Sequence, residues 1–230
     1  MTIEYHREVE QQSEKWFALR CGKLTASEMK LIITPTLKVA ANDKSRQHVW
    51  EIAAQRITNF VEPTYQSFDM QRGKEEECDA VILYHDNYAP LENCGFVTND
   101  ELGFPIGFSP DALCGEDGFI EVKSRCQKYQ TEMICDFVRA GKIPPEFAIQ
   151  VQTGLFVTGR QWADFISYGN GMPMAVVRVE PDCEMQRAIK EAAIAFEKEV
   201  VENIARYNEV VDKLKLIKTV RKDRSGEIKI

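Results

Sequence analysis

Two short runs carry the chemistry-bearing residues of this chain. Ser109-Pro110-Asp111 is followed by a turn-forming stretch, Gly115-Glu116-Asp117-Gly118, and then by Glu121-Val122-Lys123. If Asp111 ends one strand and Glu121 lies on its hairpin partner, the two carboxylates meet at one point. With the Val122 carbonyl they make an all-oxygen cradle of the kind Mg²⁺ favours. Lys123 stands two positions after Glu121, so strand alternation puts both on one face. An ammonium there can orient a water molecule against a phosphate, or deprotonate it if burial lowers the lysine pKa. The chemistry that fits is metal-assisted hydrolysis of a phosphodiester.

An Asp at a turn and a Glu-x-Lys triplet also occur on ordinary solvated hairpins. Three further features favour a site. An upstream helical segment, Arg72-Gly73-Lys74-Glu75-Glu76-Glu77, is dense in acid. A downstream one sets Gln150 and Gln152 in an otherwise apolar run (Phe147, Ala148, Ile149, Val151, Leu155, Phe156), and buried amides need polar partners. Phe119 and Ile120 anchor the strand that leads into the triplet.

Residues 13–20, 43–60, 70–87, 129–140, 145–158 and 183–216 read as helices, and Thr25-Ala26-Ser27-Glu28 as the start of a short one with a hydroxyl at its cap. Trp16, Phe17 and Leu19 are available for the core. Residues 92–123 have the spacing of short hairpin strands, and 161–168 and 174–179 read as strands joined by a turn. Pro144-Pro145 opens a helix at positions where a missing N–H costs nothing. The order predicts an α+β fold: one domain with a central mixed β-sheet flanked by helices. Residues 1–217 form that domain, and 218–230 a basic, flexible tail.

Composition limits the alternatives. The chain has 230 residues, 44% hydrophobic and 28% charged, which suits a soluble globular domain. No run approaches the ~18 apolar residues of a membrane span. The N-terminus has no apolar stretch of the secretory kind, so a cytoplasmic location is the default. Seven cysteines without a Cys-x-x-Cys spacing argue against a zinc ribbon or a disulfide framework. Three scattered histidines, His6, His48 and His85, leave carboxylates as the metal ligands. The net charge of −7 argues on its face against nucleic acid. It is uneven, however: residues 213–230 carry a net +5 and the remainder −12. A locally positive groove in an acidic body still binds DNA, because fields are screened within about 10 Å.

Taken together, these blocks closely resemble the phage lambda exonuclease family of the PD-(D/E)xK nuclease superfamily. Trp16-x-x-x-Arg20-x-Gly22-x-Leu24-Thr25-Ala26-Ser27-Glu28, Gly73-Lys74-Glu75-Glu76-Glu77-x-Asp79-Ala80, Ser109-Pro110-Asp111, Glu121-Val122-Lys123 and Gln150-Val151-Gln152 follow in the family's order. The resemblance implies that Asp111, Glu121 and the Val122 carbonyl bind metal, with Glu77 completing the side of a second Mg²⁺, and that Mn²⁺ can substitute. It makes Lys123 the residue that positions or activates water, and Gln150 the one that orients the lysine or the scissile phosphate. It makes Arg20, Ser27 and Ser109 the pocket for a terminal 5′-phosphate. A further family arginine has no equivalent at its position here; Arg125 and Lys128 are the nearby candidates. Met70 stands at the place of an apolar strand-separating wedge, with ordinary helix packing as the competing reading.

The activity implied is processive 5′→3′ digestion of one strand of linear double-stranded DNA to mononucleotides, leaving a 3′ single strand for recombination. A ring-shaped homotrimer and a phage single-strand annealing protein are the implied partners. A structure-specific endonuclease of the same fold and a non-catalytic DNA-end-binding module are the alternatives. The intact Asp111/Glu121/Lys123 set argues against the second. The terminal-phosphate pocket separates an exonuclease from the first.

Overall fold

The computed structural model describes residues 2–62 and 68–222. The chain runs β1 (Ile3–His6), α1 (Glu14–Arg20), β2 (Leu24–Thr25), a 3₁₀ turn (Met29–Leu31), α2 (Asp43–Thr58), α3 (Phe68–Asn87), β3 (Leu91–Glu92), β4 (Phe96–Asn99), β5 (Ile106–Phe108), β6 (Ala112–Cys114) and β7 (Gly118–Ser124). There follow α4 (Gln127–Glu132), a π-helical segment (Met133–Val138), α5 (Pro145–Thr158), β8 (Trp162–Tyr168), β9 (Ala175–Val179) and α6 (Cys183–Lys213).

The α+β class is the one expected, but the strands form two sheets, not one. One has the order β1-β4-β5-β2 and the other β3-β6-β7-β8-β9. The chain passes between them at Ser109-Pro110-Asp111, directly after β5 and before β6. Pro110 has no N–H to give a ladder, so strand pairing is interrupted there. The motif read as a strand end is therefore the corner between the sheets.

Two local expectations are corrected. Thr25 does not cap a helix: its hydroxyl donates to the Glu28 carboxylate at 2.6 Å, and the same carboxylate accepts from the Thr25 N–H at 3.2 Å. Leu24–Thr25 pairs as a strand with Ile106–Gly107, and only a single 3₁₀ turn follows, which starts at Glu28 without a side-chain cap. The β-branched pair Ile32-Ile33 and then Pro35 do not favour continuation. In α1, capped by Ser13 accepting from the Trp16 N–H, no residue is fully buried and Phe17 is 44% exposed. Strand β1 has no sequence signal in the reading above; it forms because β4 offers it a partner.

β7 lies inside its sheet, antiparallel to β6 and parallel to β8, and residues 118–122 are buried. Its alternation serves two cores. Phe119 faces the large one, with residues of α2, α5 and α6; Ile120 and Val122 face a smaller one with Ala80 and Tyr84 of α3. Register pairs Leu113 with Phe119 and Ala112 with Ile120, so Asp111 comes alongside Glu121 on the α5 face.

How near α5 lies to the sheet depends on one glycine. A Cβ at Gly154 would stand 2.8 Å from the Phe108 ring and 2.9 Å from the Phe119 ring, both in the core. Gln150, one turn earlier on that helix face, thereby reaches the strand.

α6 buries Ala188, Ile189, Ala192, Ala193, Phe196 and Val200 and leaves Ile194, Val201, Tyr207 and Val210 exposed. Beyond it, residues 214–222 have no regular structure, and the Arg221 guanidinium lies 3.6 Å from the Phe60 ring centroid. The rest of the basic tail lies outside the described residues. No described helix is long and apolar enough to cross a membrane.

Candidate active site

The corner, the C-terminal half of β7, α5 and α3 bring six of the expected residues together: Asp111, Glu121, Val122, Lys123, Gln150 and Glu77. Asp111 Oδ2 accepts from the Val122 N–H at 2.5 Å, which ties the corner to the strand. Lys123 Nζ donates to Glu121 Oε1 at 2.6 Å, and Gln150 Nε2 donates to the same oxygen at 2.5 Å. Glu77 of α3 stands near enough to Asp111 and Glu121 to add its charge to theirs. Glu121 is only 2% exposed, and its second oxygen, Oε2, is buried without a hydrogen-bond partner.

The electrostatics follow from this crowding. Burial, then the charges of Glu121 and Glu77, push the Asp111 carboxyl well above the usual carboxylate range, against Lys123 and the Val122 N–H. Burial and the Glu121 charge push Glu77 up too. For Lys123, burial alone would lower the value, but Glu121, Asp111 and Glu77 together outweigh it and the ammonium is strengthened. The lysine therefore stands as a cation among carboxylates, not as a free base.

The donor set fits a hard divalent cation. All its ligating groups are oxygens, the carboxylates repel one another, and Glu121 Oε2 is an orphaned acceptor in the interior. Among the described residues no group of three or more His, Cys, Asp and Glu side chains is so placed that it could hold a metal ion. Lys123 balances the charge of Glu121 at Oε1, and the neutral Gln150 amide donates to the same oxygen.

A second cluster lies at the N-terminal block. The Arg20 guanidinium stacks on the Trp16 ring, 4.4 Å from its centroid, and Nη2 donates to Thr25 Oγ1 at 3.2 Å. Thr25 Oγ1 is 3.3 Å from the Ser27 hydroxyl, and Ser27 is exposed. Trp16 Nε1 donates to Ser109 Oγ at 2.9 Å, so Trp16 links Arg20 to the corner that carries Asp111. Burial lowers the Arg20 pKa, and the Glu28 carboxylate opposes the shift. Arg20, Ser27 and Ser109 thus share one network, through Thr25 and Trp16, which sequence reasoning left without a role in it.

Other placements differ. Gln152 takes no part: its Nε2 donates to Glu180 O at 2.7 Å and its Oε1 accepts from the Asp182 N–H at 2.9 Å. Arg125 is wedged between the Tyr129 and Phe147 rings and paired with Glu146 at 3.3 Å, with Nε buried and unpartnered. Lys128 is exposed, over the far ring, Tyr129. The Met70 side chain lies outside the described residues. Two contacts behind the site were missed. Glu76 accepts from Ser124 Oγ at 2.5 Å, pinning α3 to the end of β7. Asp164 accepts from Tyr84 at 2.6 Å and from Arg178 at 2.8 Å through two nitrogens, bracing α3 against β8 and β9. The partners are 14 to 80 residues apart, and no local pattern announces them.

The model of the YqaJ-like viral recombinase domain matches residues 15–161, which span Arg20, Ser27, Glu77, Ser109, Asp111, Glu121, Lys123 and Gln150. The chain belongs to this family. It is lambda exonuclease-like, as the sequence blocks implied. The alkaline exonuclease LHK-Exo of Laribacter hongkongensis is similar in structure, with TM-score 0.74 and 31% identity over 86% of this chain and 97% of that one. The same protein in complex with dAMP matches with TM-score 0.68 and 30% identity over the same shares. A phage-related exonuclease from Haemophilus somnus 129PT, 17% identical over 80% of this chain and 96% of that one, shares the fold with TM-score 0.59. None of the curated proteins matches this chain significantly.

Proposed function

We propose that this family member is a Mg²⁺-dependent, processive 5′→3′ exonuclease that digests one strand of linear double-stranded DNA to mononucleotides. The family and the alkaline exonuclease relative support a DNA exonuclease. The observation that carries the reading is the meeting of Asp111, Lys123 and Gln150 around Glu121, whose buried Oε2 has no partner.

Asp111, Glu121 and Glu77, with the Val122 carbonyl, would hold two Mg²⁺ ions, for which Mn²⁺ can substitute. When bound, the metal supplies Lewis-acid polarisation of the phosphoryl oxygens and a more acidic water. Lys123 keeps its proton at Nζ and holds the phosphate and the attacking water in line. Gln150 keeps Glu121 Oε1 turned towards Lys123, so the carboxylate faces the reaction with Oε2. Arg20, Ser27 and Ser109 receive the 5′-phosphate of the strand being shortened; a terminal phosphate carries more charge than a diester and suits the guanidinium fork. Arg125 is the better replacement for the missing basic contact, because it shares the Phe147 ring with Lys123. The complex of the relative with dAMP supports a mononucleotide product. Residues 1–217 act as the nuclease domain. Exposed apolar residues along α6 support assembly, which we take to be a homotrimer around the duplex, with an annealing protein on the 3′ strand.

The test is digestion of linear duplexes bearing 5′-phosphate or 5′-hydroxyl ends, against a closed circle, with and without EDTA. Faster release of mononucleotides from phosphorylated ends, none from the circle and none in EDTA is the expected result. Cutting of the circle would put a structure-specific endonuclease in its place.

A further inference from the structure

Behind the Arg20 cluster lies a buried imidazole that the chemistry above does not use. His48 of α2 is 2% exposed and stacks on Phe196 of α6 with ring centroids 5.2 Å apart. Its Nδ1 is 3.0 Å from Glu51 Oε2. Its Nε2 is buried, has no hydrogen-bond partner and lies 3.9 Å from Glu28 Oε2.

That one oxygen of Glu28 also accepts from the Thr25 N–H at 3.2 Å and from the Thr25 hydroxyl at 2.6 Å. A hydroxyl has a single hydrogen. With it committed to Glu28, Thr25 Oγ1 is an acceptor towards both Arg20 Nη2 and Ser27 Oγ. The Thr25 rotor thus has one setting, and that setting fixes which Arg20 nitrogen turns inward and which N–H groups remain for an incoming anion. Glu28 is itself attracted to Arg20. Released from its place, its carboxylate would form a direct pair with the guanidinium and compete with phosphate. The imidazole packed beside Oε2 limits that movement.

We propose that Glu28 is a positioning residue of the terminal-phosphate pocket: it orients Thr25, Thr25 orients Arg20 and Ser27, and His48 sets where the Glu28 carboxylate stands. The inference rests on the reading of Arg20 as the ligand of a 5′-phosphate. It adds an inner layer whose members touch neither substrate nor metal.

The experiment compares KM and kcat on duplexes with 5′-phosphate and 5′-hydroxyl ends for the wild-type protein, Glu28→Ala, Glu28→Gln and Thr25→Val. Glu28→Ala is expected to raise KM on phosphorylated ends about tenfold or more, and to reduce the phosphate preference by the same factor, the usual weight of a hydrogen bond to a charged group. Glu28→Gln, whose amide oxygen still accepts from Thr25, restores most of the preference. Thr25→Val repeats the loss and serves as the readout should Glu28→Ala not fold. A wild-type protein without phosphate preference removes the pocket and this inference together. A wild-type preference that survives within twofold in both Glu28→Ala and Thr25→Val overturns the inference alone and leaves the pocket standing.

Discussion

Lys123 Nζ donates to Glu121 Oε1 at 2.6 Å, from two residues along the same face of β7. In the absence of metal this ammonium is the counter-charge of a carboxylate that the fold buries. The pair follows from strand alternation, but its charge state does not: neighbouring Asp111 and Glu77 strengthen the ammonium against burial.

Lys123→Ala leaves Glu121 and Asp111 without that cation. The folded-state lysine pKa is raised, so its stabilisation is fully present at neutral pH and is lost only as pH rises through the raised value. The variant should lose about 1.5–3 kcal/mol in EDTA, by urea unfolding at neutral pH. Turnover on bound DNA should fall about 10²-fold or more, the usual weight of a fixed donor at a developing negative charge, while duplex affinity changes far less. A collapse of affinity with an unchanged rate on bound DNA would reduce the lysine to a phosphate anchor.

Asp111 has the same sign in a lower pH window. Its folded pKa is raised, so without metal the native state holds a proton that the unfolded chain releases. Stability in EDTA should therefore rise as pH falls from neutral towards the ordinary carboxylate range. Asp111→Asn should flatten that dependence, raise Tm in EDTA and abolish cleavage. For a domain of this size each kcal/mol moves Tm by about 2–4 °C. Thermal scans across pH, with and without Mg²⁺, read the effect, and an unchanged slope in the variant contradicts it.

Gly154→Ala tests the approach of α5. The added methyl meets two rings of the core, Phe108 and Phe119, at under 3 Å. Overpacking of this kind costs about 1–3 kcal/mol. Gln150 moves with the helix, and a shift of about 1 Å can cost 10²-fold in rate. The activity of the folded variant, measured at a temperature well below its Tm, should fall although no group near the scissile bond has changed.

Arg20→Ala removes the charged floor of the second cluster. The preference for 5′-phosphorylated ends should fall about tenfold or more. The length digested per encounter, measured with a heparin trap, should shorten, because each new terminal phosphate no longer draws the strand forward. The metal concentration needed for half-maximal rate should stay as it is.

Asp164→Ala separates support from chemistry. It leaves the buried Tyr84 hydroxyl without its acceptor and the half-exposed Arg178 without its carboxylate, at a cost of about 1–3 kcal/mol. The loss should be equal in EDTA and in Mg²⁺, unlike that of Lys123→Ala, because this brace lies on the α3 face of the sheet, away from the α5 face that carries Glu121. Unfolding in both conditions measures it.

What the sequence determined by itself was local. Alternation put Glu121 and Lys123 on one face of β7, the spacing of apolar residues marked α1, α2, α5 and α6, and Pro144-Pro145 marked the start of α5. The order of the acidic, Ser-Pro-Asp and Glu-x-Lys blocks carried the family, because the types and spacing of residues survive in the linear chain. The tertiary structure decided the rest. That Ser109-Pro110-Asp111 is a corner between two sheets depends on which strands pair, a choice made across the chain. That Gln150 meets Glu121 while Gln152 caps the turn before α6 depends on the rotation of α5, set by Gly154 against two phenylalanine rings. That Lys123 stays charged depends on the summed field of three carboxylates from three elements. Contacts such as Tyr84 with Asp164, or Trp16 with Ser109, join residues 80 and 93 positions apart. Such pairs leave no periodicity to read, because only the packed core brings them within hydrogen-bond range.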